Sequence, residues 1–192
     1  MSKEWDFLER LNFSEGVEIS QGILDHLISI TPKAIGIKKA TESEDRHGTD
    51  YWIERKNLPP LSVDLKNRGF CPIEKFGKDD ACIETCSVYT GPSKPPWYDY
   101  DKFRIKPGWT IDENKRTDII VYTWPVLNSD KLRFWILYFP WLCKASQNNW
   151  KKWRNIYSER SAENRDYVTL SIYPLRKVIV QEIRNLLTGE LF

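Results

Sequence analysis

Apolar residues along the chain recur with two periods. From Ser14, a residue suited to cap a helix, Val17, Ile23, Leu24, Leu27 and Ile28 repeat near helical spacing as far as Ile30. Glu18, Gln21 and Asp25 lie near one another on a different flank. Thr31-Pro32 stops that helix. Before it, residues 1–12 form a short helix or arm. After it the pattern shortens to that of strands. AIGIKKAT from Ala34 is a first strand, and ESEDRHG is a polar loop. TDYWIER and LSVDLKNR follow as two strands joined by KNLPP, with the Pro-Pro step setting the turn. ACIETCSVYT from Ala81 is another strand. RTDIIVYTW and KLRFWILYF are two more, separated by the turn sequence PVLNSD. SQNNWKKWRNIYSER predicts a basic helix, YVTLSIY a strand and PLRKVIVQEIRNLL a last helix. GPSKPPWYDYDKFRIKPGW, rich in Pro, Gly and aromatics, predicts a loop or flap. Helix, several strands, helix, strand, helix is the order of an α/β (α+β) fold, a central mixed β-sheet flanked by α-helices.

Composition narrows this picture only a little. The 192 residues suit one domain, 1–192, with a loop-rich insertion around 91–112. Hydrophobic residues make up 41% and charged residues 29%, which is ordinary globular composition. No apolar run approaches the length of a membrane span, and MSKEWDFLERLNF lacks the core of a signal peptide, so the expectation is a cytoplasmic protein with no membrane partner. A net charge of +2 says little about partners, since an acidic site with a basic rim can still bind nucleic acid. Cys71, Cys82, Cys86 and Cys143 have no standard zinc spacing and are expected as reduced thiols.

The chemistry concentrates in GTDYWIERKNLPPLSVDLKNRGF, residues 48–70. Side chains alternate along a strand, so Asp64 and Lys66 share one face while Val63 and Leu65 face the core. Pairing through the turn would set Asp50 beside Asp64. Two carboxylates at close range repel, and a divalent cation with hard oxygen ligands removes that repulsion. The Leu65 backbone carbonyl offers a further oxygen, and Lys66 stands where it can act on an attacking water or on phosphate charge. The competing interpretation is a pair of solvated strand faces.

Asp50 followed by Asp64-Leu65-Lys66 resembles the signature of the PD-(D/E)xK nuclease superfamily, including its phage and bacterial members. Thr49 stands where the family name has proline. The resemblance covers residues 14 to 90 and extends to the strand at 117–124. It implies a restriction-endonuclease-like fold and a Mg2+- or Mn2+-dependent endodeoxyribonuclease. Asp50 and Asp64 would bind the metal, Lys66 would assist the water, and Glu18 would be the acid of the preceding helix. DNA would be the partner, whether duplex, branched or single-stranded, and a homodimer is consistent with the family. A looser pattern continues in Ile83-Glu84-Thr85, Gly108-Trp109, Lys115 and Asp118-Ile119-Ile120-Val121-Tyr122, where Glu84 would help the site or Asp118 would hold the fold.

Other residues carry two readings each. Arg68 contacts phosphate or is solvated. Lys151, Lys152 and Arg154, interleaved with Trp150 and Trp153, contact nucleic acid, or the tryptophans are buried and the lysines solvated. His47 is a general base or an exposed loop residue. No GxxxxGK[ST], GxSxG or HExxH motif competes. The alternative function is an inactive nucleic-acid-binding or partner-binding module on the same fold, and a weaker third option is an RNA-directed nuclease.

Overall fold

The computed structural model describes residues 21–45, 47–67, 83–89, 102, 104–126, 128, 132–156, 159–164 and 167–172. By its internal contacts the chain divides into two compact units, Met1–Cys71 with Arg116–Phe139, and Pro72–Lys115 with Pro140–Phe192.

The first unit is a mixed α/β structure. Helix α1 (Gln21–Ile30) leads into strand β1 (Ala34–Lys39), a single turn of helix α2 (Glu42–Asp45), and strands β2 (Tyr51–Arg55) and β3 (Leu58–Asn67). Strands β6 (Ile119–Pro125) and β7 (Leu132–Tyr138) complete a five-stranded sheet of order β1-β2-β3-β6-β7. Its pairs are antiparallel except β3 with β6, which run parallel.

The two faces of this sheet follow the strand alternation. Ile53, Val63, Ile119 and Val121 form a buried core with Ile23 and Leu27 of α1, and Tyr51, Leu61, Leu65, Phe134 and Ile136 pack against it. Burial of each such aliphatic chain is worth about 1.5–3 kcal/mol. The opposite face of β3 carries Ser62, Asp64 and Lys66, in register with Ile120 and Tyr122 of β6. Six of the seven residues of β6 are buried, as expected of a central strand covered on both faces. On the Asp64 face Tyr122, Trp124 and Trp135 are buried. Trp124 meets Trp135 edge-on at 5.0 Å between ring centroids, and Tyr122 meets Trp124 at 5.7 Å.

The hairpin turn differs from the sequence expectation. It lies at Lys56-Asn57, and β3 already begins at Leu58, so Pro59-Pro60 belongs to the strand. Asn57 takes the left-handed backbone (φ 58°) that asparagine tolerates. The prolines fit because the register shifts there. Ile53 pairs with Leu61 and Arg55 with Leu58, so two prolines oppose the single residue Glu54, and neither is asked for a ladder N–H. ESEDRHG is also more ordered than a loop. Thr41 and Glu44 close a reciprocal cap around α2: the Thr41 N–H and hydroxyl donate to Glu44 Oε2, and the Glu44 N–H donates to Thr41 Oγ1.

The second unit contains an antiparallel sheet of order β5-β4-β9-β8, from β4 (Ile83–Tyr89), β5 (Arg104–Pro107), β8 (Glu159–Asn164) and β9 (Tyr167–Ile172). β5 thus stands inside the segment expected to be a loop, and β8 occupies the polar stretch after the basic helix. That helix, α3 (Phe139–Ile156), begins directly after β7. Its start includes Pro140, which is tolerated in a first helical turn. The expected last helix, the WYDYDKF segment, Cys71 and Cys82 lie outside the described residues. Cys86 and Cys143 are buried and in no disulfide, and burial raises the Cys143 thiol to about 11.

Gly108 shows why a glycine is needed between β5 and the following turn. A Cβ there would stand 1.9 Å from the backbone oxygen of Glu84, which also accepts the Thr110 hydroxyl at 2.6 Å. Gly108→Ala is expected to cost the protein about 1–3 kcal/mol by forcing these backbones apart, read as a lower urea midpoint.

No helix among the described residues is long and apolar enough to cross a membrane.

Candidate metal and phosphodiester site

Asp50 is the residue before β2, and β2 leaves β3 after the pair Tyr51 and Val63. One step further, Asp50 and Asp64 come side by side, close enough for the charge on Asp64 to act strongly on Asp50. The pairing of Asp50 with its neighbours is dense. Its N–H donates to the Val63 carbonyl at 2.8 Å, its carbonyl accepts the Ala40 N–H at 2.8 Å, and its Oδ2 accepts the Leu65 N–H at 2.5 Å. The Leu65 N–H is a strand donor left by the departing β2, so the Asp50 carboxylate replaces a ladder partner and is fixed by the sheet itself. Leu65 thus also brings its N–H to the site.

Asp64 is 2% exposed. Lys66, two residues on along the same face, donates from Nζ to Asp64 Oδ1 at 2.8 Å, and its side chain keeps 30% of its exposure. The lysine thus bridges a buried carboxylate and solvent. Burial, with the charge of Asp64 next, raises the Asp50 carboxyl to about 7, against the lowering effects of the Leu65 N–H and of Lys66. A carboxylate that resists ionisation beside a second carboxylate is electrostatically unfilled: it takes a proton or another cation.

Two neighbours support this arrangement: Asp45, on which the sequence was silent, and Asp118, expected to hold the fold. The Asp45 side chain near the Asp50 carboxyl further favours its protonated form. Asp45 ends helix α2, and the T-x-x-E cap of Thr41-Glu42-Ser43-Glu44 was the sequence signal for that helix. Glu44 also accepts the indole N–H of Trp52 at 3.0 Å, which ties α2 to β2. The second neighbour is Asp118, the residue before β6. Its Oδ2 accepts both the N–H (2.8 Å) and the hydroxyl (2.9 Å) of Ser62, and its own N–H donates to Ser62. Its backbone carbonyl accepts the Phe139 N–H at 2.8 Å. Asp118 therefore pins the start of β6 to β3, two residues from Asp64. Asp118→Ala, which leaves the buried Ser62 donors without this acceptor, is expected to lower stability by about 1–3 kcal/mol in a urea titration.

The remaining expected residues distribute as follows. Glu18 and Arg68 lie outside the described residues. Glu84 belongs to the second unit, where its Oε1 accepts the Ser87 hydroxyl. Lys151 and Lys152 are exposed on α3 in that same unit, with Lys151 Nζ 5.4 Å from the centroid of Trp150 and Trp153 buried. Arg154 lies on α3, and its side chain is not among those described. His47 is exposed, with Nδ1 2.7 Å from the Ser43 carbonyl oxygen.

Among the described residues no group of three or more His, Cys, Asp and Glu side chains is arranged to hold a metal ion. Asp50 and Asp64 are a set of two. No family model, curated protein or solved structure matches the chain.

Proposed function

We propose that the protein is a divalent-metal-dependent nuclease that hydrolyses DNA phosphodiester bonds at Asp50, Asp64 and Lys66, in the manner of the PD-(D/E)xK enzymes it resembles, on a restriction-endonuclease-like fold. One observation carries this reading: two carboxylates meet on adjacent strands, one of them resists ionisation, and a lysine ammonium contacts the other at 2.8 Å.

The donor set suits magnesium or manganese. Both ions take hard oxygen ligands, and magnesium commonly uses one or two carboxylates with water and substrate phosphate for the rest. Asp50 and Asp64 would hold the ion, and Glu18 of the segment before α1 would be the third acid. Bound there, the ion would polarise the phosphate and make a water easier to deprotonate. The protein's own groups do the positioning. The Leu65 N–H fixes the Asp50 carboxylate in the plane of the sheet. Lys66, held by Asp64 and open to solvent, places a positive charge where charge accumulates on the phosphate, and its N–H groups orient the attacking water. Asp64 itself is buried, on the same face as buried Tyr122 and Trp124, and removal from bulk water strengthens its interactions.

The test is incubation with plasmid, single-stranded and branched DNA, with Mg2+ or Mn2+ and with EDTA. Metal-dependent cleavage lost in Asp64→Ala and Lys66→Ala is expected. Cleavage that survives EDTA or either substitution removes the site, and tight DNA binding without any cleavage leaves an inactive binding module.

A further inference from the structure

The far end of the β1–β2–β3 meander carries a basic cluster that the hydrolytic site does not use. Lys33 precedes β1, and Arg55 and Lys56 end β2 and enter the hairpin turn. Backbone pairing brings them together: Ala34 pairs with Arg55, and the Lys56 N–H donates to the Lys33 carbonyl at 2.8 Å. Lys33 and Lys56 are exposed. The Arg55 guanidinium is anchored through Nε to the Pro59 carbonyl at 2.8 Å. Among the described residues none of the three cations is in an ion pair, and the nearby Glu54 carboxylate is engaged by Lys38 at 3.1 Å.

Lys33 also sits in left-handed backbone, φ 61°. That conformation costs a lysine about 1 kcal/mol or more relative to glycine.

We propose that this tip is an anchor for the phosphate backbone of the substrate. The inference rests on the nuclease reading for its substrate class. Arg55 is five residues on from Asp50, so the tip lies about 17 Å along the sheet from the carboxylate pair. That span matches about five base pairs of duplex at 3.4 Å each. Substrate gripped at the tip and cut at Asp50 and Asp64 is held at two points, which fixes its register on the sheet without reading its sequence.

The experiment measures affinity for a short duplex against salt concentration, with Asp64→Asn as the non-cleaving background. Lys33→Gly with Lys56→Gln removes two charges while relieving the strained backbone at residue 33. If both lysines contact phosphate, the slope of log K against log salt becomes shallower by about 1.8. Lys33→Arg with Lys56→Arg restores it. At saturating DNA the double variant in the otherwise native protein keeps its rate of cleavage, and its KM rises. An unchanged salt slope overturns the anchor, whether or not the protein cleaves. A shallower slope in a protein that cleaves nothing sustains the anchor and removes the nuclease reading instead.

Discussion

Lys66→Ala is expected to lower metal-dependent DNA cleavage by about 10^2–10^4-fold in kcat/KM, the range typical of a lost proton-transfer or charge-stabilising group. The same substitution has a structural consequence, because Lys66 is the cation held against the nearly buried Asp64 carboxylate. Removing that cation should cost stability, on the order of a few kcal/mol. The two effects separate with metal. Mn2+ should raise the melting temperature of Lys66→Ala, whose carboxylates are intact, without restoring turnover. Asp64→Asn should lose both the cleavage and the Mn2+-induced rise. A Lys66→Ala protein that regains activity on restabilisation would make the lysine a structural partner only.

The second large effect is in pH. Asp50 is raised to about 7 by burial and by Asp64, above its ordinary value of 3.8. In the metal-free protein a raised carboxyl favours folding below pH 3.8, and that contribution declines as pH climbs through 7, because the folded state must then ionise a buried acid. Asp50→Asn, which retains an oxygen for the Leu65 N–H, should therefore be more stable than the native protein at pH 8 and little different at pH 4. Denaturant midpoints at the two pH values read this directly. Metal binding runs the opposite way. A dication must displace the Asp50 proton below pH 7, so its affinity should weaken by about tenfold per pH unit between 7 and 5. Binding near pH 6 should release protons, seen as heats that depend on the buffer.

The hairpin shows what the sequence makes legible. Tyr51, Ile53, Val63 and Leu65 pack on the α1 side, and Asp64 and Lys66 face the other way, because a period of two leaves no other choice once one face is apolar. The turn was not legible in the same way. Pro-Pro is a common turn sequence, yet here it fills a bulge, and the asparagine before it, at φ 58°, makes the reversal. Nor could periodicity show how deeply Asp64 is buried, on a face whose buried aromatics Tyr122, Trp124 and Trp135 come from strands far along the chain. Local chemistry hid three more elements. α2 hides in a short acidic run whose cap was the only sign. The start of α3 lies ahead of the helix expected from Ser146, because FPWLC is apolar and shows no helical period. β8, ERSAEN, has no apolar alternation at all.

The proposed binding of a cation between Asp50 and Asp64 is tested most directly by calorimetric titration of Mn2+ into the native protein and Asp64→Asn at pH 8 and pH 6. The native protein should bind at pH 8 and more weakly at pH 6. Asp64→Asn should bind about 100-fold more weakly or not at all, since losing even a group that only supports a metal ligand costs 10–100-fold. Equal affinity in the two proteins, or native binding indifferent to pH, would contradict the site.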